Sequence, residues 1–205
     1  MTEGACVFVV DDEPAVRKGL DRLLRAAQLE VKVFASAQEF LLALDHEHPG
    51  CVILDYQMPG LNGLELQEVL AARGAHLQIV FLTGHGDIPR TVRAMQGGAV
   101  DFLVKPAGRE QILPAVGRAL EREALQRAQR AQLDDVRARL AQLSPREREV
   151  MGHVIAGRLN KQIADILGTA EKTVKIQRAA VMQKMGVRSV AELVRQTEKA
   201  GVLPT

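Results

Sequence analysis

Between residues 5 and 106 five short apolar runs, 5–10, 31–34, 51–54, 79–83 and 100–104, alternate with longer stretches whose apolar residues recur at helical spacing. Each run has the length of a strand, and several are rich in Val and Ile, which pack well on a pleated surface. Between the first two runs Val16, Leu20, Leu23 and Leu24 form one helical stripe, and Leu64, Leu66, Val69 and Leu70 form another before the fourth run. Strands separated by helices cross over and run parallel, and a parallel sheet must be covered on both faces. The pattern therefore predicts an α/β unit with a doubly wound five-stranded parallel sheet, in the usual order 2-1-3-4-5. In such a sheet ligand chemistry gathers beyond the carboxyl ends of the strands, where the strand order reverses.

After residue 108 the strand signal stops. Residues 109–143 read as helix, with Ile112, Leu113, Val116 and Leu120 on one side, although Pro114 removes a backbone donor and is expected to loosen the first turns. The stretch 122–132 is polar nearly all round, a solvated connector, and Leu133, Val136, Leu140 and Leu143 then form a two-heptad seam for a partner helix or for the adjoining domain. Ser144-Pro145-Arg146-Glu147 is a helix start with Ser as N-cap, Pro at the first position and Glu closing a capping box. Asn160 is expected to cap a second helix through Ile163, Ile166 and Leu167 to Gly168; a third carries Glu171 to Lys184, and a fourth begins after Ser189. Four short helices with a tight turn between the second and third suit an all-α helix-turn-helix domain. The predicted organisation is a domain over 1–120, a helical linker over 121–142 and a second domain over 143–205.

Composition narrows the function. Apolar residues are 47% and charged residues 25%, values of a chain that buries a core rather than a disordered one. Cys6 and Cys51 are the only cysteines, too few for a disulfide framework or a four-cysteine zinc site, and read as small buried hydrophobes. The five histidines show no metal-ligand spacing. With no apolar stretch long enough to span a bilayer and no signal-peptide pattern at the start, a cytoplasmic protein without membrane partners is expected. Net charge is +2, but residues 1–107 carry 9 basic and 14 acidic side chains, whereas 143–205 carry 11 and 6. A basic C-terminal part suits a polyanion partner.

Asp11 and Asp12 directly follow the first apolar run and Asp55 follows the third. In the predicted strand order these runs are neighbours, so three carboxylates converge. Like charges so close repel unless a cation sits among them, and hard oxygen ligands with room for water suit Mg²⁺, for which Mn²⁺ can substitute. Thr83 ends the fourth run and Lys105 follows the fifth, bringing a hydroxyl and a fixed cation to the same crevice. Such a site can receive a phosphoryl group: Asp55 attacks phosphorus in line, while Lys105 and Thr83 hold the transferred charge.

The segments Val9-Val10-Asp11-Asp12-Glu13, Leu54-Asp55-Tyr56-Gln57-Met58-Pro59-Gly60, Leu82-Thr83-Gly84-His85-Gly86-Asp87 and Gly98-Ala99-Val100-Asp101-Phe102-Leu103-Val104-Lys105-Pro106 resemble the receiver domains of two-component systems over about residues 5–120. The resemblance implies a flavodoxin-like fold, phosphorylation on Asp55 by a sensor histidine kinase, and Mg²⁺ held by Asp11, Asp12, Asp55 and the backbone carbonyl of Gln57. It also implies phosphoryl contacts from Thr83 and Lys105, a switch through Thr83 and Phe102, and a cis Lys105-Pro106 bond. Ala107 stands where close relatives usually carry Phe, so looser packing is expected there.

Leu143-Ser144-Pro145-Arg146-Glu147-Arg148-Glu149-Val150, Gly157, Asn160-Lys161-Gln162-Ile163-Ala164 and Glu171-Lys172-Thr173-Val174-Lys175 resemble the LuxR-type helix-turn-helix over about 143–203. Together the two parts are similar to FixJ-type response regulators in the FixJ/NarL group. The resemblance puts the third helix of this domain in the major groove, with Val174 and Val181 toward the core and Lys172, Thr173, Lys175, Gln177, Arg178 and Lys184 positioned for phosphates or base edges. Gln177 replaces a common His and can pair with adenine, and Ala170 replaces a common capping Ser, a loss Thr169 could make good. The implied function is transcription regulation: phosphorylation promotes a homodimer that binds promoter DNA and works with RNA polymerase. Enzymatic activity is then limited to Mg²⁺-dependent self-phosphorylation and dephosphorylation at Asp55. Two other classes stay open: a haloacid-dehalogenase-like phosphatase, which wants an Asp where Gln57 stands, and a regulator whose helical domain docks on protein.

Overall fold

The computed structural model describes residues 4–44, 48–84 and 88–202, so His85, Gly86 and Asp87 of the third receiver-like segment lie outside the described residues. The chain forms two compact units, Met1–Arg127 and Ala128–Thr205. The first contains β1 (Cys6–Val10), α1 (Pro14–Ala26), β2 (Glu30–Phe34), α2 (Ala37–Ala43), β3 (Gly50–Leu54), α3 (Gly63–Ala72), β4 (Gln78–Thr83), α4 (Ile88–Gln96) and β5 (Asp101–Val104), and α5 (Arg109–Ala141) begins in it. The strands are all parallel, in the order β2-β1-β3-β4-β5. β1, β3 and β4 are buried along their whole length, which is why they read as unbroken apolar runs.

Alternation along the strands sorts side chains into two cores. Val7, Val9, Cys51, Ile53, Val80 and Leu82 face α1 and α5, meeting Leu20, Leu24, Ile112, Val116 and Leu120. Cys6, Phe8, Val10, Val52, Leu54, Ile79 and Phe81 face the other way, onto Phe40 of α2, Leu66 and Leu70 of α3 and Ala94 of α4. Each large side chain so buried contributes about 1.5–3 kcal/mol of transfer free energy. The two cysteines thus lie on opposite faces as free buried thiols. Burial pushes Cys6 up to about 11, and burial also raises Cys51 far above an ordinary thiol, so neither forms a thiolate readily. Pro114 does not delay the start of α5: the helix begins at Arg109 and continues through it. The donor missing at 114 would have met the carbonyl of Glu110, an exposed residue that water can serve.

The second unit holds the end of α5 and four helices, α6 (Pro145–Ile155), α7 (Asn160–Leu167), α8 (Glu171–Met185) and α9 (Val190–Lys199). Its core joins Val136 and Leu143 of the seam to Val150, Met151, Val154, Ile163, Val174, Val181, Met185 and Leu193, with Leu140 partly buried beside them. The seam therefore serves the core of its own unit. Ser144 caps α6, accepting from the Glu147 N–H (3.2 Å) while Glu147 accepts from the Ser144 N–H (2.7 Å). The expected cap at α7 is different. Asn160 is the first helical residue, Leu159 stands at the cap, and the Leu159 N–H is satisfied by the Gln162 side chain at 2.8 Å. Ile166, expected on the apolar stripe of α7, is instead 54% exposed.

Candidate functional site

Val10 pairs with Leu54 in the sheet, so the next residues, Asp11 and Asp55, leave adjacent strands side by side; the Asp55 N–H donates to the Val10 carbonyl at 2.9 Å. Asp11 and Asp55 are buried and Asp12 is exposed, and each can offer one oxygen within 4.8 Å of the others. Lys105 follows β5 and reaches back to two of these carboxylates and to Glu13. Its Nζ donates to Asp11 Oδ2 (2.7 Å), Asp55 Oδ2 (2.9 Å) and Glu13 Oε1 (3.1 Å). The Lys105 N–H also donates to the Thr83 carbonyl (2.7 Å), and the Lys105-Pro106 peptide is cis.

Burial raises the Asp11 carboxyl above its ordinary range, against the pull of the Lys105 hydrogen bond. Burial acts to lower the Lys105 ammonium, but its hydrogen bonds to Asp11, Asp55 and Glu13 outweigh that and hold it above an ordinary lysine, so it stays charged. Three carboxylates then face one ammonium, and the excess of negative charge on hard oxygens fits a divalent cation such as Mg²⁺. Asp12, the exposed member of the three, lies on the solvent side.

Two neighbours complete the setting. Thr83, the fully buried last residue of β4, lies by strand alternation on the same face as Phe81, and Phe102 pairs opposite Phe81. The half-buried Phe102 ring packs on Phe81 (centroids 6.0 Å) and edge-on to Tyr56 (6.4 Å), with the Arg90 guanidinium 5.5 Å from the Tyr56 ring centre. Residues that the sequence reading missed also shape the site. Glu13 is a third carboxylate on Lys105, and Arg17 holds the Asp11 carbonyl at 2.5 Å. Gly63 opens α3 so tightly against the loop after β3 that a Cβ there would sit 2.3 Å from the Asp55 carbonyl oxygen. Its signal was Asn62-Gly63-Leu64-Glu65, a capping box in which Asn62 Oδ1 accepts from Leu64 and Glu65.

In the second unit, Val174, Val181 and Met185 bury one side of α8 and leave Lys172, Thr173, Lys175 and Ile176 exposed on the other. Ile176, an apolar residue 63% exposed among lysines, is not on the expected contact set. Lys184 is, and it has partners within its own unit. Its ammonium is held by Glu147 (2.6 Å) and the Gln142 carbonyl (3.3 Å), an ion pair that keeps Glu147 below the usual carboxylate range. Arg178 donates to Asn160 Oδ1 (3.0 Å), linking α8 to α7, and Gln177 is set back with its Oε1 buried and without a hydrogen-bond partner. Thr169 does not replace the missing cap: Ala170 stands at the N-cap and no side chain accepts from the first turn. Ala170→Ser should therefore stabilise the second unit by roughly 1 kcal/mol, read as a higher urea midpoint with an unchanged slope.

Residues 7–117 match the response regulator receiver domain, and residues 141–197 match the bacterial regulatory proteins of the luxR family. The chain is a response regulator with a LuxR-type DNA-binding domain. It is 47% identical to Nodulation protein W of Bradyrhizobium diazoefficiens over 97% of this chain and 87% of that one. It is 45% identical to the transcriptional regulatory protein FixJ of Azorhizobium caulinodans over 100% and 97%. Among solved structures it resembles response regulator StyR (47% identity, TM-score 0.89, covering 96% and 99%) and full-length FixJ from B. japonicum (42%, 0.60, 98% and 98%). As a response regulator it is a two-component transcription regulator, and among its described residues no helix is long and apolar enough to cross a membrane.

Proposed function

We propose that this response regulator takes a phosphoryl group from a sensor histidine kinase onto Asp55 and, so modified, dimerises and binds promoter DNA in the cytoplasm. The observation that carries the reading is Lys105: one ammonium within 3 Å of both Asp11 and Asp55, beside three carboxylates able to converge on a cation. Asp11, Asp12, Asp55 and the Gln57 carbonyl would hold Mg²⁺, or Mn²⁺ in its place, and the ion supplies charge neutralisation to the phosphoryl oxygens when bound. A carboxylate oxygen of Asp55 forms the bond to phosphorus as the bond to the donor nitrogen breaks, that electron pair staying on the imidazole. Lys105 then exchanges its hold on Asp55 for a phosphoryl oxygen, and Thr83 donates to another. Phe102, packed between Tyr56 and Phe81, follows Thr83 inward as the switch. The same site supports phosphorylation by small acyl phosphates and slow loss of the group to water. A phosphatase that turns over is disfavoured because Gln57 offers no carboxyl for acid catalysis.

The output surface is apolar. Ile88, Val92 and Met95 of α4 and Val104 of β5 are 81%, 46%, 44% and 51% exposed, within or beside the α4–β5–α5 face over 89–120 expected to form the dimer. A two-fold dimer sets two α8 helices in successive major grooves, so the DNA site should be an imperfect inverted repeat with half-sites about 10 base pairs apart or a multiple of that. The test is a mobility-shift titration on genomic fragments, with acyl phosphate and Mg²⁺ and then with EDTA. Phosphorylation should tighten binding and yield dimers in solution, and EDTA during labelling should abolish both effects. Specific DNA binding indifferent to phosphorylation would exclude the coupling, and no DNA binding in either state would favour protein docking as the output.

A further inference from the structure

We infer that Gln67 is a positioning residue that latches the end of α4 to α3 and so restrains the switch from the side opposite the phosphoacceptor. This rests on the proposed role of the α4–β5 face. Gln67 is buried, 4% exposed, on an otherwise apolar side of α3. Its Nε2 donates across 27 residues of sequence to the Ala94 carbonyl in α4 at 3.1 Å. That carbonyl already accepts the Ala99 N–H (3.2 Å) that turns the chain out of α4 toward β5. A single side chain therefore grips the point where α4 ends and β5 is prepared. The other half of the amide is unsatisfied: Oε1 is buried with no hydrogen-bond partner. A buried orphan acceptor raises the free energy of the state that contains it, so a small shift of α4 that lets Oε1 find a donor is favoured once the hydrogen bond to Ala94 lets go.

Gly97 is the other half of the device. Its ideal Cβ would lie 2.6 Å from Gln67 Oε1 and 2.8 Å from Cδ, so only glycine leaves room for the amide in this position. The two residues line a groove of about 500 Å³ between α3 and α4, which gives α4 space to move. Neither residue is among the groups that meet at Lys105 and the aspartates, and neither appears in the receiver-like segments as a chemical group. The latch acts on the equilibrium between the two states of α4, and it acts through Ala94.

The experiment uses the full chain, unphosphorylated, with Gln67→Ala, Gly97→Ala and the double variant. Amide hydrogen exchange over 88–99 is the first readout and dimerisation by sedimentation the second. Each single variant should speed exchange in that segment about fivefold, the factor of one net hydrogen bond, with β1 and β3 unchanged. The double variant should match Gln67→Ala, because with no amide at 67 the new methyl at 97 meets nothing, whereas two unrelated packing defects would add. Exchange over 88–99 unchanged in Gln67→Ala, or additive effects, would overturn the latch whatever the oligomeric state does. If exchange responds as expected but neither single variant raises dimerisation without phosphorylation, the latch stands and the α4–β5 dimer face is the reading that fails.

Discussion

Asp55→Asn should reduce labelling by an acyl phosphate and Mg²⁺ from about one phosphoryl group per chain to background, with the fold intact. The amide is nearly isosteric with the carboxylate. It can still accept from Lys105, whose other partners Asp11 and Glu13 are untouched, so the crevice keeps its shape while losing its nucleophile. Intact protein mass gives the readout, and continued one-to-one labelling of the variant would move the acceptor elsewhere. Lys105→Ala and Thr83→Ala separate chemistry from output. Both keep Asp55 and should still be labelled, more slowly for Lys105→Ala because no ammonium then offsets the two buried carboxylates. Neither variant should show phosphorylation-dependent DNA binding, since the proposed switch runs through the groups that close on the phosphoryl oxygens. Full coupling in both would remove Thr83 and Lys105 from the switch.

The receiver was legible because its signals are local and repeated. Five apolar runs fix strand parity, parity fixes which residues end each strand, and strand order brings Asp11, Asp55, Thr83 and Lys105 to one rim. What stayed hidden are interactions that depend on how helices sit over the sheet. Nothing around Gln67 announces Ala94, and Gly97 is one glycine of a Gly-Gly pair until its neighbour across the groove is known. The same limit governs α8. Helical spacing separates Val174 and Val181 from Lys172 and Lys175, but Lys184 and Arg178 lie on the flank, where a long side chain reaches either DNA or its own domain. Their partners in the structure are Glu147 and Asn160, which belong to other helices, and nothing in the spacing of α8 points to either. Asn160 misled for a related reason: its polar side chain looks like a cap, yet Gln162 serves the start of α7 and leaves Asn160 free to receive Arg178.

Those placements divide the basic residues of α8 into two groups expected to differ in salt behaviour, and the division is the second large effect expected. Lys172 and Lys175 are exposed on the outer face, so each should neutralise a DNA phosphate and release a counterion. Lys175→Ala should weaken binding to specific and non-specific DNA alike. It should also flatten the log–log salt slope by about 0.9 for each phosphate left without its lysine, about 1.8 for a symmetric dimer. Lys184→Gln should leave the slope unchanged, because its ammonium is already committed to Glu147, and should show its effect in the stability of the second unit. Between the lysines, Ile176 presents an apolar side chain that can meet a thymine methyl, while Gln177 has its Oε1 buried. Ile176→Ala should therefore relax discrimination at one base position more than Gln177→Ala does, with non-specific affinity nearly unchanged. One fluorescence titration series at several salt concentrations reads all four variants. A flattened slope for Lys184→Gln equal to that of Lys175→Ala would mean that the Glu147 pair opens on DNA, and the outer face of α8 would then extend to its C-terminal turn.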